Sequence, residues 1–203
     1  MKGSAATLAA LVFAMVALAA GVPTASAGDG CASTATQPFL PWLDPAHYAL
    51  APNGGFEDGA QSWRLRNGAA PVAGNEPFHV TAAGDDGSLA LPPGASATSE
   101  DVCVHLLDPT LRFFVANEGS PRSTLKVEVL YTNLLGGSSG STVAVLTGAR
   151  EWQPTLPLPF LANLGALPLV TDGTVEVGFR FTAQGEGGEW RIDDVYVDPF
   201  KEV

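Results

Sequence analysis

The chain has 203 residues, two cysteines and a net charge of −11, from 10 Lys and Arg against 21 Asp and Glu. Hydrophobic residues make up 46% of it, too many for a disordered chain, and the acidic balance argues against a nucleic-acid partner. Two cysteines cannot build a disulfide-dense miniprotein or a cysteine-rich zinc module, so one globular domain of ordinary size remains.

The N-terminus has the pattern of a secretory signal peptide. Lys2 precedes an almost wholly apolar run, and a small-x-small cleavage site follows at residues 25–27. The run is shorter than the roughly 20 residues of a membrane span, although an uncleaved anchor is the alternative. We therefore predict a signal peptide over residues 1–27 and a secreted, extracellular protein with no membrane span after cleavage.

Export would place both cysteines in an oxidising compartment, where Cys31 and Cys103 are the only possible pair. We predict a disulfide between them, which would tie the N-terminal segment to the body of the protein. Two buried free thiols are the alternative. In the chain-entropy model, closing so long a loop stabilises the fold by about 3–4 kcal/mol.

Residues 28–52 are rich in proline, which disfavours a continuous helix or a central strand. Phe39, Leu40, Trp42, Leu43 and Tyr48 within this stretch are nevertheless apolar enough to be packed. We predict an extended segment that lies on the domain, with the domain itself at residues 53–203.

From Phe56 onward, short apolar stretches are separated by Gly and Pro turn signals, and no long helical pattern occurs. Period-two alternation is clearest over residues 125–131 and 174–181, as expected for half-buried strands of an antiparallel sheet. This pattern predicts an all-β fold, either a β-sandwich or a barrel.

The alternation also assigns faces, because successive side chains of a strand point to opposite sides. If the strands share one sheet, the polar side chains line one surface: Arg112, Lys126, Glu128, Glu176 and Arg180. Such a row could hold sugar hydroxyls through charged hydrogen bonds. Alternatively, it is a solvated sheet face with cross-strand ion pairs.

Two segments resemble a known family when taken together. Asn-Gly-Gly-Phe-Glu at residues 53–57 is followed by Trp63, and residues 190–197 read Trp-Arg-Ile-Asp-Asp-Val-Tyr-Val. The pairing resembles the galactose-binding-like jelly rolls, particularly secreted carbohydrate-binding modules. The resemblance implies an antiparallel jelly-roll β-sandwich and a polysaccharide or glycan as partner.

The same resemblance implies a structural calcium ion between the opening and closing strands. Its ligands would be the carboxylate of Glu57, a backbone carbonyl such as that of Gly55, and the carboxylate of Asp193. Calcium prefers six to eight oxygens of mixed carboxylate and carbonyl origin, and an exported protein meets free calcium. The alternative is that Glu57 and Asp193 are solvated residues at a strand edge.

Tyr131 is the aromatic side chain that we expect to bind a sugar ring, since Trp63 and Trp190 occupy positions that are core in the family. A glycosidase would need two carboxylates about 5–10 Å apart, and Glu128 with Glu176 is the candidate pair. No zinc-protease, nucleophile-elbow or phosphate-loop motif occurs. We therefore predict an exported, non-catalytic carbohydrate-binding module, or alternatively a cell-envelope jelly roll that is structural or binds protein.

Overall fold

The structure is a computed structural model and describes residues 34–105, 109–132, 138–160 and 174–198. The predicted signal peptide and Cys31 lie outside these ranges. Within them, all regular structure is β-strand except one 3₁₀ turn at Leu40–Trp42, and every strand pairing is antiparallel. No helix there has the length and apolar character needed to cross a membrane. The all-β sandwich prediction is confirmed.

The strands in chain order are β1 Ala35–Thr36, β2 Tyr48–Leu50, β3 Trp63–Arg66, β4 Ala70–Ala73, β5 Gly87–Leu91, β6 Ser96–Ser99, β7 Val102–His105, β8 Thr110–Asn117, β9 Thr124–Thr132, β10 Ser138–Leu146, β11 Gln153–Pro154, β12 Leu158–Pro159, β13 Thr174–Gln184 and β14 Trp190–Asp198. Residues 138–141, although they consist only of Ser and Gly, form the start of β10.

One sheet has eight strands in the order β1-β2-β14-β5-β4, with β8 along the opposite edge of β14 and the short strands β11 and β12 paired to β8. The other sheet has six strands in the order β10-β9-β13-β6-β3, with β7 paired to β13. Strand β13 therefore has β9 on one side and β6 followed by β7 on the other. The two longest pairings of the six-stranded sheet are those of β10 with β9 and of β9 with β13, and β10 is an edge strand.

The main core lies between the two sheets and follows the predicted alternation. Leu125, Val127 and Val129 of β9 point inward, as do the alternating apolar residues of β13. In β8, Leu111, Phe113 and Val115 join the same core while Phe114 points to the other side. Burial of these side chains supplies the main favourable free energy of folding.

The N-terminal segment packs as an outer layer, and we call residues 34–52 the strap. Its strand β2 pairs with β14, so the strap extends the eight-stranded sheet as well as lying on it. Phe39 and Tyr48 of the strap pack with Phe114 and Tyr196 in a second, smaller core on the outer side of this sheet. The predicted packing is therefore observed for Phe39 and Tyr48, but it is wrong for Leu40 and Leu43, which are 53% and 93% exposed at the short 3₁₀ turn.

The closing strand β14 contains an irregularity that sets the position of its acidic residues. Its pairing with β8 shifts register between Asp193 and Tyr196, and Asp194 has φ of 48°. An extra residue in one strand interrupts the strict alternation of side chains. Asp193 and Asp194 are consequently both buried, while Val195 returns to the main core.

Candidate ligand-binding face and metal site

Four of the predicted binding residues lie together on the outer face of the six-stranded sheet. Lys126 and Glu128 project from β9, and Glu176 and Arg180 project from the neighbouring strand β13. Lys126 Nζ lies 2.7 Å from Glu128 Oε1, and Arg180 Nη1 lies 4.0 Å from Glu128 Oε2. The first ion pair lies within β9 and the second joins β9 to β13, so one cross-strand ion pair of the kind expected for a solvated sheet face is present.

Arg112 does not lie on this face, because β8 belongs to the other sheet. Its side chain is 4% exposed, and Nη1 donates to Asp44 Oδ2 at 2.5 Å. Nε and Nη2 donate to the carbonyl of Thr155 at 3.0 and 2.7 Å, and the guanidinium lies 4.0 Å from the Phe39 ring centroid. The strap covers Arg112, so the expectation that all five polar residues line one surface is wrong for this residue.

Tyr131, the aromatic side chain expected to bind a sugar ring, does not lie on the outer face of this sheet. It follows Val129 on the inward-pointing side of β9, lies opposite Val177, and packs half-buried against the main core. The structure therefore places it at the edge of the space between the sheets rather than on the outer face with Lys126.

Two further basic residues lie on the same outer face and were not among the binding residues predicted from the sequence. Arg64 and Arg66 project from β3, whose Trp63 and Leu65 point to the core. The alternation of two apolar and two basic residues over 63–66 is the signal that could have identified them. We define the ligand face as the outward charged side chains of the six-stranded sheet: Arg64, Arg66, Lys126, Glu128, Glu176 and Arg180.

A cleft of about 390 Å³ opens at one end of the ligand face. It is lined by Ser62, Trp63, Arg64, Ser99, Glu100 and Asp101. Trp63 is only 6% exposed, and its Nε1 donates to the carbonyls of Pro52 and Asn53 at 3.1 Å. The indole is therefore buried and fixed by backbone hydrogen bonds, so it is not exposed for stacking on a sugar ring. The polar side chains of the cleft remain available to a ligand.

The predicted calcium ligands Gly55, Glu57 and Asp193 lie near the point where the opening loop meets β14. Glu57 Oε1 accepts the amides of Asp86 and Gly87 at 3.0 and 2.7 Å. Asp193 Oδ2 accepts the amide of Glu76 at 3.0 Å. Each carboxylate is thus already in a backbone hydrogen-bond network.

Gly55 lies beside Asp194 rather than Asp193: a Cβ built on Gly55 would be 3.2 Å from Asp194 Oδ1. That oxygen accepts a hydrogen bond from the Thr81 hydroxyl at 2.7 Å. Asp194 Oδ2 is buried and has no hydrogen-bond partner. The sequence favoured Asp193, and only the bulge in β14 shows that its neighbour faces the opening loop.

Asp194 belongs to an acidic cluster with Glu76 and Asp193, all three fully buried. Burial raises the pKa of Asp193, and the charges of Asp194 and Glu76 raise it further against two backbone hydrogen bonds. Burial likewise raises the pKa of Asp194, with the charges of Glu76 and Asp85 adding to it against the Thr81 hydrogen bond. Among the described residues, no ion pair joins the cluster to Lys or Arg.

The cluster combines three buried acidic groups with an unpartnered oxygen, Asp194 Oδ2. A divalent cation would compensate the negative charge of these groups and coordinate that oxygen. Across residues 34–105, 109–132, 138–160 and 174–198, no three His, Cys, Asp or Glu side chains are placed to hold a metal ion by themselves. A calcium ion here would therefore draw on backbone and hydroxyl oxygens as well as carboxylates, which is within its ordinary coordination chemistry.

No protein family's sequence profile matches the chain, and no curated protein matches it. Its fold does match solved structures. The chain aligns with the CBM22-1–GH10 modules of Clostridium thermocellum endo-1,4-β-D-xylanase 10B, solved with xylohexaose, at 15% identity and a TM-score of 0.54. That alignment covers 72% of this chain and 28% of the other, so the chain spans under a third of that protein.

Two further structures share the fold. The CBM22-1 xylan-binding domain of Paenibacillus barcinonensis Xyn10C matches at 16% identity and a TM-score of 0.50, over 74% of this chain and 94% of that one. The enzymatically active domain of bacteriophage CBA120 tailspike protein 4 matches at 15% identity and a TM-score of 0.50, over 74% and 21%. The fold resembles that of carbohydrate-binding modules, as the two sequence segments predicted.

Proposed function

We propose that this protein is an exported, non-catalytic module that binds polysaccharide through the ligand face. The observation that carries the proposal is the face itself, an open sheet surface with charged side chains and an adjoining polar cleft. Charged hydrogen bonds to sugar hydroxyls are the chemistry this surface offers. The xylan-binding domain of similar fold supports the substrate class, although fold alone does not determine function.

The position of the two candidate acidic residues argues for binding rather than glycoside hydrolysis. Arg180 is the direct cross-strand neighbour of Glu128, and Glu176 lies four residues away from Arg180 on the same strand. Four residues of strand span roughly 13 Å, which exceeds the separation of about 5–10 Å used by glycosidases. Glu128 is also engaged by Lys126.

The proposal is tested by isothermal titration calorimetry of the purified protein against a panel of soluble polysaccharides. Arg180→Ala should weaken binding about tenfold or more, because it removes the charged hydrogen bonds of a guanidinium that is 40% exposed on the ligand face. Arg122→Ala, at an exposed arginine outside the ligand face, is the matched control and should bind as the parent does. Absence of binding to every polysaccharide in the panel contradicts the proposal.

One observation favours a second candidate, a cell-envelope module that binds protein. Leu40 and Leu43 of the strap are 53% and 93% exposed, and the nearby Phe78 is 46% exposed. Phe78 packs edge-on against Trp42 at 5.0 Å between ring centroids, which joins the strap to the following loop. Exposed apolar side chains grouped in this way are typical of interaction surfaces. Leu43→Ser would abolish capture of an envelope protein and leave polysaccharide binding unchanged.

We further propose that calcium binds beside Asp194, with Gly55 and Glu57 of the opening loop and Asp193 of the same bulge as neighbouring oxygen sources. The unpartnered Asp194 Oδ2 and the uncompensated charge of the acidic cluster support this assignment. A cation would stabilise the junction of the opening loop with β14 and leave the ligand face, on the other sheet, unchanged.

Calcium binding is measured as the shift in melting temperature when the ion is added to chelator-treated protein. At a concentration about 100 times Kd, the free energy of unfolding should rise by about 2.7 kcal/mol. Asp194→Asn should abolish the shift, whereas Asp58→Asn, at an exposed acid of the same loop, should retain it. An equal melting temperature with calcium and with chelator contradicts the assignment.

A further inference from the structure

The basic residues of this acidic protein are concentrated on one surface. The chain has 10 Lys and Arg against 21 Asp and Glu. Four of the ten, Arg64, Arg66, Lys126 and Arg180, project from the outer face of the six-stranded sheet. A polyanion would be repelled by the protein as a whole, so any attraction has to arise locally on this face.

Strand register arranges these cations in two adjacent rows that run across the strands. One row reads Arg64, Thr98, Arg180, Glu128 and Thr142. The next row reads Arg66, Ser96, Thr182, Lys126 and Val145. Because neighbouring strands are about 4.8 Å apart, the Cα atoms of Arg64 and Arg180 are separated by roughly 10 Å.

The positive charge of the two rows is only partly neutralised. Glu128 is their single acid, so four cations and one anion leave a formal charge of 4 − 1 = +3. Arg180 is 40% exposed and has only the 4.0 Å contact to Glu128 and a 3.4 Å hydrogen bond to Thr98. Arg64 and Arg66 are both exposed, and no ion pair engages either one within the described parts of the chain.

Apart from Glu128, the acidic side chains on this side of the sheet lie beyond the two rows, toward the Glu176 end of β13. Glu100 and Asp101 follow β6 beyond Ser99, and Asp101 Oδ1 is 3.1 Å from where a Cβ of Gly178 would lie. Glu176 lies two residues further along β13, opposite Cys103. The charge of this sheet surface therefore changes along the strands from the two basic rows to these acids, and Arg64 lines the same cleft as Glu100 and Asp101.

All ten residues of the two rows belong to the described part of the chain, and none of them is aromatic. The rings of the neighbouring strands, Trp63, Tyr131, Phe179 and Phe181, belong to or pack against the main core. Stacking on a ring face thus cannot hold an uncharged sugar over these rows. Guanidinium and ammonium groups remain, and their strongest hydrogen bonds are to carboxylate and similar oxyanions.

We infer that the ligand face selects a polysaccharide that carries anionic groups, which lie across the strands over the two basic rows. This inference rests on the proposed function and specifies its ligand. Carboxylate groups of uronic acids and sulfate half-esters share the required chemistry. Arg64 and Arg66 would contribute most, because both are exposed and neither forms an ion pair within the described residues.

The test compares polygalacturonate and dextran sulfate with uncharged dextran and neutral xylan in the same calorimetric assay. We expect at least one anionic polymer to bind tighter than both neutral polymers by about tenfold or more, and this preference to weaken at high salt. The two anionic arms distinguish carboxylate from sulfate as the recognised group.

Two double variants separate local recognition from overall charge. Arg64→Glu with Arg66→Glu should weaken binding of the anionic polymer at least tenfold. Arg122→Glu with Arg150→Glu changes the net charge equally at exposed positions outside the face and should bind as the parent does. Melting curves establish that both variants are folded.

Neutral xylan binding as tightly as the anionic polymers would overturn this inference and leave the proposed function intact. Equal losses in both double variants would also overturn it, since the attraction would then be nonspecific. Absence of binding to every polymer would overturn both the inference and the proposed function.

Discussion

Arg112 and Asp44 join the eight-stranded sheet to the N-terminal strap through a hydrogen-bonded ion pair, with Nη1 donating to Oδ2 at 2.5 Å. Nε and Nη2 of the same guanidinium donate to the Thr155 carbonyl, and the guanidinium group lies over the Phe39 ring. A buried charge is tolerated when it is paired and its hydrogen bonds are satisfied. The pair therefore clamps three separate stretches of chain at one point.

Replacing Arg112 should destabilise the protein strongly. Arg112→Met keeps much of the apolar volume but leaves Asp44 without its cation and Thr155 without a donor, so we expect a loss of about 3 kcal/mol. Urea unfolding measures the free energy. Arg122→Met, at an exposed arginine, should change it by less than about 0.5 kcal/mol. Equal stabilities of the two variants would show that the clamp is energetically unimportant.

The clamp also predicts a dependence of stability on pH. Burial opposes ionisation of Asp44, but hydrogen bonds from Tyr48, the Ala46 amide and Arg112, together with the Arg112 charge, hold its pKa below the usual value. Because the folded pKa is the lower one, this stabilisation is present above the unfolded pKa, near 3.8, and is lost as pH falls through the folded value.

The measurement is the difference in unfolding free energy between the parent protein and Asp44→Asn, followed from about pH 7 to about pH 3. The parent should be the more stable at neutral pH, and its advantage should shrink only in the acid range. An advantage that stays constant throughout, or that grows on acidification, would contradict the assigned direction of the pKa shift.

Gly54 lies where the opening loop meets the bulge of β14. A Cβ there would be 2.7 Å from the Val195 carbonyl oxygen and 3.1 Å from that of Ala51. The Val195 amide donates to the Gly54 carbonyl at 3.0 Å, so the backbone cannot move away without losing that hydrogen bond. Gly54→Ala should therefore lower the free energy of unfolding by about 1–3 kcal/mol.

Gly84→Ala is the matched control, because nothing lies within 4 Å of a Cβ at that position. This substitution should be neutral or slightly stabilising, since alanine has less conformational freedom to lose on folding. The measurement is the melting temperature of the Gly54→Ala and Gly84→Ala variants compared with that of the parent protein. If both are equally stable, the contact with Val195 is relieved by a shift of the loop.

The disulfide between Cys31 and Cys103 stays a prediction, because Cys31 lies outside the described residues. Cys103 lies on β7 opposite Glu176 of β13, so the bond would anchor the chain before the strap to the six-stranded sheet. Either Cys→Ser variant should lose about 3–4 kcal/mol, and the double variant should lose no more than a single one. Intact mass under non-reducing conditions tests the bond directly. Additive losses would instead indicate two separate thiols.

Much of the candidate site follows from local sequence. The alternation over residues 125–131 and 174–181 correctly assigns Lys126, Glu128, Glu176 and Arg180 to one outward face. The same logic extends to Arg64 and Arg66 of β3, since Trp63 and Leu65 alternate with them. These assignments succeed because side-chain direction in a strand is a local property of the backbone with a period of two.

The sequence by itself determined the all-β class, the inward and outward residues of β9 and β13, and the apolar character of the strap. Only the tertiary structure decided that β8 pairs with β14 and not with β13, which removes Arg112 from the ligand face and buries it under the strap. It also decided that the bulge in β14 turns Asp194 toward Gly55. Strand partners and bulges depend on hydrogen bonds between segments far apart in the chain, and no local alternation pattern encodes that choice.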